Sequence, residues 1–472
     1  MSESILAHLP GSEASFDRDL IKRYDVAGPR YTSYPTAPEF HENYGEADYR
    51  RNVKESNGDL IPLPLSLYFH LPFCAHVCFY CACNKIITAN RFRADRYVDY
   101  LIRELHMHAE LFDRDRYVSQ IHWGGGTPTF LSPELMQRLM RETRRSFRME
   151  GDDTGEYSVE IDPREADPET IGLLRRLGFN RLSVGVQDFD PKVQKAVNRL
   201  QSFEQTEAVI RAAREWGFRS ISMDLIYGLP FQSIDSFNLT LDKVLKLAPD
   251  RLSTFNYAHL PDRFKSQRYI ETSTLPSADE KLELFNAIVE RLRGVAGYVY
   301  IGMDHFACPE DDLTVAQKNG LLHRNFQGYS THGGCDLVGL GISSIGTMAD
   351  SYNQNVRGID EYYKCIDAEQ IPVFRGIQLS EEDLLRRDII MSLICNFSLD
   401  IDDMERKHGI RFFRKFAEEL RQLDGMQNDG LLQMDSKSIE VLPLGRFLIR
   451  NICMVFDAYL KKNNPGKFSR II

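Results

Sequence analysis

The sequence predicts an α/β protein: a partial, TIM-like (β/α)6 barrel with a polar lumen, preceded by an N-terminal extension and followed by a mainly helical, winged-helix-like domain. From about residue 64, short β-rich runs alternate with longer stretches of helical periodicity, the pattern of a parallel β/α array. The strand candidates alternate apolar with polar residues, whereas strands of a parallel sheet buried on both faces read as continuous apolar runs. Past about residue 375 the pattern turns to helices around one short hairpin.

Residues 1–60 are polar and broken by Pro29, Pro35, Pro38 and Gly58, so they read as an extension without a core of its own. The barrel domain is assigned to residues 61–375, with strands expected at 66–73, 119–123, 157–162, 181–187, 220–227 and 251–258. Helices are expected between them at 93–111, 132–147, 168–177 and 203–216, several opened by a Ser, Thr or Asp cap and closed by Gly. Eight repeats are not evident, hence a partial barrel. In the strands, Tyr157, Val159 and Ile161 interleave with Ser158, Glu160 and Asp162, and Leu182, Val184 and Val186 with Ser183, Gly185 and Gln187. One face therefore meets helices and the other lines a polar lumen able to hold a charged ligand. Residues 376–472 form the last domain, with helices expected at 380–394, 402–408, 412–423 and 444–460 and a hairpin at 431–441.

The 43% hydrophobic and 27% charged content is that of a globular protein. The N-terminus lacks a basic stretch leading into an apolar run, and no segment approaches the roughly 18 apolar residues of a membrane span, so a cytoplasmic protein without a membrane partner is expected. A net charge of −10 argues against general nucleic-acid binding.

Nine cysteines occur in 472 residues, and four of them, Cys74, Cys78, Cys81 and Cys83, lie within residues 74–83. In a reducing compartment such clustering points to metal or redox chemistry rather than disulfides. A structural zinc site could use all four thiols but usually draws ligand pairs from separate segments. An iron–sulfur cluster commonly takes its thiolates from one tight run, and three ligands on a four-iron cluster leave one iron open. Two further features sit near strand ends. Trp123-Gly124-Gly125-Gly126-Thr127-Pro128 follows the second strand, where glycines let backbone approach a ligand closely, and Glu160, Gln187, Arg199, Asp224 and Ala258 fall on or past the later strands.

Cys74, Cys78 and Cys81, with Tyr80 before the third, resemble the cysteine loop of radical S-adenosylmethionine enzymes. The resemblance implies a radical SAM barrel whose [4Fe–4S] cluster is held by these three cysteines and binds S-adenosylmethionine at its open iron to generate a 5′-deoxyadenosyl radical. A narrower resemblance, to the oxygen-independent coproporphyrinogen III oxidase (coproporphyrinogen dehydrogenase) family, rests on four strings. They are Gly28-Pro29-Arg30-Tyr31-Thr32-Ser33-Tyr34-Pro35-Thr36, Tyr68-Phe69-His70-Leu71-Pro72-Phe73-Cys74, Asn84-Lys85 after the fourth cysteine, and His323-Arg324-Asn325-Phe326-Gln327-Gly328-Tyr329.

This family resemblance implies two S-adenosylmethionine molecules. Tyr68, Gly125, Glu160 and Ile345 would contact the cluster-bound one, and Tyr80, Gly126, Thr127, Gln187, Arg199, Asp224 and Ala258 the second. Cys83 would be a non-ligand, and Gln327 and Tyr68 are the catalytic candidates. The implied reaction is oxidative decarboxylation of two propionates of coproporphyrinogen III to vinyls, giving protoporphyrinogen IX in haem biosynthesis. It needs a low-potential electron donor and an electron acceptor, and the chain is expected to act as a monomer. Lys22, Arg23 and Arg30 are candidates to bind the anionic substrate. One departure stands out: Cys308 follows His305-Phe306-Ala307 where a lysine is expected, which puts a cation there in doubt. A radical SAM methyltransferase and a haem chaperone on the same scaffold are the alternative readings.

Overall fold

A computed structural model describes residues 17–152 and 154–460. Two compact units result, one of residues 32–387 and one joining residues 17–31 with residues 388–460. The extension expected over residues 1–60 is thus divided between the two. Having no core, its first part places its polar groups on the C-terminal helix Ile449–Val455 and the residues after it. Arg450 Nε donates to Pro29 O at 2.9 Å, Asn451 Nδ2 to Tyr24 O at 2.8 Å, and the Tyr31 hydroxyl to Asp457 Oδ2 at 2.8 Å. The later part forms an unforeseen helix, Glu46–Asn57, whose Asn52 donates to Gln378 Oε1 at 3.0 Å within the larger unit.

Six parallel strands cross the larger unit in sequence order: β1 (Leu65–Leu71), β2 (Tyr117–Gly125), β3 (Glu156–Ile161), β4 (Arg181–Gln187), β5 (Ser220–Tyr227) and β6 (Arg251–Asn256). Helices Phe92–Ala109, Pro133–Ser146, Pro168–Arg176 and Phe203–Glu215 fill the expected windows. Ser132, Asp167 and Ser202 cap the last three, each side chain accepting a first-turn N–H. Tyr157, Val159, Ile161, Leu182, Val184 and Val186 are buried, while Ser158, Glu160 and Ser183 stand half-buried on the lumen face. The alternation read from the sequence is the alternation of the strands.

Six more strands extend the sheet at both edges. β7 (Val299–Gly302) and β8 (His305–Ala307) are added antiparallel beyond β6. Beyond β1 lie β9 (Asp336–Leu340), parallel to it, and then antiparallel β10 (Ile345–Met348), β11 (Ser351–Asn355) and β12 (Val373–Gln378). These strands are short, and sequences such as Ser351–Asn355, SYNQN, carry neither β-branched enrichment nor alternation. Pairing with a sheet already formed, rather than local propensity, makes them strands.

The lumen floor is an ionic network built from the first residues of three strands. Arg181 Nε lies 3.1 Å from Glu156 Oε2, Gln120 Nε2 donates to Glu156 Oε1 at 2.7 Å, and Arg251 Nε meets Asp311 at 2.9 Å. With the floor closed by paired charges, the lumen opens toward the C-terminal strand ends, where β/α barrels carry their chemistry.

In the smaller unit β13 (Ser398–Asp400), β14 (Leu432–Met434) and β15 (Ser438–Val441) form a three-stranded antiparallel sheet with β15 central. Helices Ile401–His408 and Ala417–Asn428 accompany it. The single helix expected over 412–423 is interrupted at Phe416, which leaves helical geometry while its buried ring packs on Phe412 and Phe456 at 5.0 and 5.6 Å. Among the described residues the last helix is Ile449–Val455, shorter than the 444–460 expected. Among the described residues, no helix is long and apolar enough to cross a membrane.

Candidate active site

The cysteine loop leaves the C-terminal end of β1 and is pinned on all sides. Phe73–Cys74 pairs in parallel with Ile86–Ile87, which closes the base of the loop. Phe79 N–H donates to Val197 O at 3.0 Å, Asn198 Nδ2 to Val77 O at 2.7 Å, and Lys85 Nζ to Cys81 O at 2.8 Å. The thiols face donors: Thr127 Oγ1 lies 3.6 Å from Cys74 Sγ, and Arg164 Nη2 and Arg199 Nη1 lie 3.5 and 3.6 Å from Cys78 Sγ. Burial pushes the Cys74 thiol up to about 11, opposed by Thr127 and reinforced by the charges of Cys81 and Cys78 nearby. Cys83 hydrogen-bonds Cys81 and is the main cause of lowering the Cys81 thiol to about 6.

Three sulfurs on one rigid loop, with guanidinium and hydroxyl donors turned toward them, suit thiolates in a shared negative assembly. No three His, Cys, Asp or Glu side chains among the described residues group as ligands of one ion. A four-iron cluster instead presents each thiolate to a separate iron.

The glycine stretch packs directly beneath the loop. Gly126 N–H donates to Leu71 O and Thr127 N–H to Phe73 O, both at 2.8 Å, and a Cβ on Gly126 would stand 2.6 Å from Phe73 O. Gly125 has a φ of +111°, and its Cβ would meet the His70 ring at 2.6 Å. Glycine is required at both positions by close approach, and at Gly125 also by backbone conformation.

Glu160 stands beside this turn. Its Oε2 accepts the Gly125 N–H at 3.1 Å, and its Oε1 lies 3.0 Å from His122 Nε2, whose Nδ1 is 2.6 Å from Ser158 Oγ. Burial alone would raise this carboxyl, but His122 and the Gly125 N–H hold it below the usual carboxylate range. Tyr68 stacks on the His122 ring at 5.7 Å, and its hydroxyl lies 3.1 Å from His70 Nδ1. The strand pairing sets Tyr68 opposite Gly339, where a Cβ would stand 3.0 Å from the Ile345 backbone. Gly339 thus neighbours both Tyr68 and the Ile345 backbone, and the Ile345 side chain packs on the aromatic cluster of Phe40 and Tyr352.

A second group gathers past β4, β5 and β6. Arg199 is buried, with Nη1 2.9 Å from Asp162 Oδ2 and Nη2 donating to Gly185 O at 2.6 Å. Gln187 adopts a φ of +68° at the end of β4, a left-handed conformation of the kind retained at functional sites. Gln267 Nε2 donates to Tyr80 O at 3.0 Å and to Ala258 O at 3.2 Å, so one amide ties the cysteine loop to the end of β6.

Asp224 faces the lumen and accepts from Ser183 Oγ at 2.9 Å, and burial pushes its carboxyl up from 3.8 to about 6. An acid raised in the folded state contributes stability that is complete below its unfolded pKa and lost as pH rises through about 6. Asp224→Asn should therefore match the parent near about pH 4 and exceed it at about pH 7 by on the order of 2 kcal/mol. Denaturant unfolding of the ligand-free chain across that range measures the difference, and equal stability at neutral pH would reject the buried-acid reading.

Glu160, Asp224 and Gln327 line one polar cavity of about 190 Å³ inside the lumen. Gln327 reaches it from the turn of the hairpin His323–Asn325/Gly328–Ser330, its N–H donating to Asn325 Oδ1 at 2.9 Å. His122, Arg164 and Gln267 escaped the sequence reading, and Asp162 was legible only as a lumen-facing residue. His122 shares the lumen-facing parity of Gln120 on β2 and could have been found, whereas Arg164 reaches Cys78 and Gln267 reaches Tyr80 across long stretches of sequence. One departure from pattern is located, and one candidate is already engaged. Cys308 is not near the strand C-termini: its N–H bonds Asp250 O at 2.9 Å and its thiol faces Pro249 O at 3.7 Å, at the floor end of β6. The missing lysine there leaves the cysteine loop untouched. Arg23 is already paired, 3.0 Å from Asp429 Oδ1.

Comparison with known proteins agrees with this geometry. The radical SAM superfamily model matches residues 68–244 and the HemN C-terminal domain model residues 379–448. The oxygen-independent coproporphyrinogen III oxidase of Pseudomonas aeruginosa is 52% identical over 457 residues, covering 97% of this chain and 99% of that protein. The Escherichia coli enzyme of the same name is 48% identical over 461 residues, 98% and 99% of the two chains. The solved structure of coproporphyrinogen III oxidase (HemN) from Escherichia coli, described as a radical SAM enzyme, superposes with a TM-score of 0.89 at 48% identity over 94% of this chain and 99% of that one. With both domains matched and likeness running from end to end, the chain belongs to the oxygen-independent coproporphyrinogen III oxidase family of radical SAM enzymes.

Proposed function

We propose that this chain oxidises coproporphyrinogen III without oxygen, converting two of its propionates to vinyls and yielding protoporphyrinogen IX in the cytoplasm. The observation that carries the reading is the pinned loop of Cys74, Cys78 and Cys81 at the strand C-termini, above a polar lumen holding Glu160, Asp224 and Gln327. Full-length likeness to enzymes named for this reaction supports it over methyl transfer or haem carriage.

Cys74, Cys78 and Cys81 would hold a [4Fe–4S] cluster. Tyr68, Gly125, Glu160 and Ile345 would hold one S-adenosylmethionine, and Tyr80, Gly126, Thr127, Gln187, Arg199, Asp224 and Ala258 a second. When bound, these groups supply a radical able to take hydrogen from an unactivated carbon. The protein's part is placement and charge. Glu160, ionised and fixed by His122 and the Gly125 N–H, offers its charge to an ammonium group. Arg164 and Arg199, themselves held by Asp162, offset negative charge on the Cys78 sulfur. The Gln327 amide reaches the lumen from the hairpin turn and can orient substrate by hydrogen bonding. Each propionate loses a hydrogen atom from its β-carbon, CO2 and one further electron, so an electron acceptor is required, and a low-potential donor must reduce the cluster.

Anaerobic reconstitution with iron and sulfide, then incubation with S-adenosylmethionine, reductant and coproporphyrinogen III, tests the reading. The expected result is 5′-deoxyadenosine together with a divinyl product, from a monomer that binds two S-adenosylmethionine molecules in equilibrium dialysis. Formation of 5′-deoxyadenosine with no vinyl-bearing product would keep the enzyme class and reject the substrate.

A further inference from the structure

Three arginines around the lumen have carboxylate partners: Arg181 with Glu156, Arg199 with Asp162, and Arg251 with Asp311. Arg324 differs. It lies on the hairpin that presents Gln327, one strand position from Asn325, and its guanidinium carbon stands 4.6 Å from the centre of the Tyr329 ring. Its Nε and Nη1 are both buried, and neither has a hydrogen-bond acceptor among the described residues. Stacking on an aromatic face offsets part of the desolvation of a guanidinium but satisfies none of its N–H groups in the plane. A cation kept in this state is costly unless an anion completes it. Tyr329 lines the same cavity as Glu160 and Gln327, and its ring meets the His305 ring edge-on at 5.2 Å.

Resting on the function proposed above, whose substrate carries four carboxylates, we infer that Arg324 binds a propionate of the porphyrinogen. The chemistry selects which kind of propionate. A carboxylate leaving as CO2 surrenders its charge, so a guanidinium holding it would stabilise the ground state more than the transition state and slow the step. Arg324 therefore anchors a propionate that is not reacting, and its contact is equally strong before and during reaction. Removing it raises KM and leaves kcat in place.

The test uses the reconstituted holoenzyme and two probes, coproporphyrin III, which bears the same four carboxylates, and its tetramethyl ester. Arg324→Gln should weaken binding of the acid by about 10- to 100-fold, leave ester binding unchanged, and raise KM for coproporphyrinogen III by a similar factor at constant kcat. Arg324→Lys keeps the charge and the stem over Tyr329 but loses the planar fork, and should recover part of the acid affinity. Parental affinity for the acid in Arg324→Gln, or an equal loss for acid and ester, would overturn the inference. Where the glutamine variant does not fold, as judged by circular dichroism, the lysine variant decides: a several-fold loss for the acid supports the site, and a parental value overturns it. Because binding is read without turnover, a parent enzyme that makes no vinyl product would reject the proposed function while the carboxylate site stands or falls separately.

Discussion

Cys78→Ala should yield a folded chain that fails to retain a full complement of iron and sulfide after anaerobic reconstitution and has no detectable turnover. The loss should exceed the roughly 100-fold that follows removal of an outer partner of a metal site. Two features make Cys78 the sharpest of the three positions. It is buried, and its sulfur faces both Arg164 and Arg199. Alanine would leave two guanidinium groups around an empty corner, with Asp162 alone to balance them. Cys83→Ala is the contrast: if Cys83 only hydrogen-bonds Cys81 and does not ligate, the variant should retain iron and lose activity less severely. Iron and sulfide analysis per chain decides both, and a Cys78→Ala protein with a parental cluster would remove the ligand assignment.

Glu160→Gln should keep its iron and bind S-adenosylmethionine about 10- to 100-fold more weakly, the range expected when a hydrogen bond to a charged group is lost. The substitution is nearly isosteric and its amide oxygen can still accept the Gly125 N–H, so the turn above β2 should survive. What disappears is the charge that His122 and the Gly125 N–H hold in place. Because the Glu160 carboxyl lies below the usual range, its ionisation is complete at neutral pH, and the parent's affinity should not change through it between about pH 6 and 8. Equilibrium binding to the reconstituted variant measures the effect, and an unchanged affinity would show that Glu160 does not meet the ammonium group.

How much of the site was legible depended on whether its signal was local. Strand alternation at Ser158, Glu160 and Ser183 foretold the lumen face, because period-two patterning records which side chains face which layer. The loop cysteines, the glycine stretch and the family strings were likewise contiguous. Gln267 was invisible, since nothing near it in sequence says that its amide bridges Tyr80 and Ala258. Asp162 is legible in the sequence as a lumen-facing residue, but not as the group that holds Arg164 two residues on and Arg199 37 residues away. Cys308 shows the converse: a local departure from pattern is conspicuous in the sequence, and the fold puts it at the floor beside Pro249.

By itself, the order of residues determined the six barrel strands, the helices between them and the three-cysteine loop, since propensity, capping and side-chain period act within a few residues of one another. Only the tertiary structure decided that the sheet continues through β7 to β12, that residues 17–31 join the C-terminal unit, and that the loop thiols meet arginines from beyond β3 and β4. Those outcomes depend on edge pairing, on carbonyls such as Gly28 and Pro29 finding Arg450, and on charges neutralised across the mouth of the barrel. Their energies arise between segments that are distant until the chain has folded.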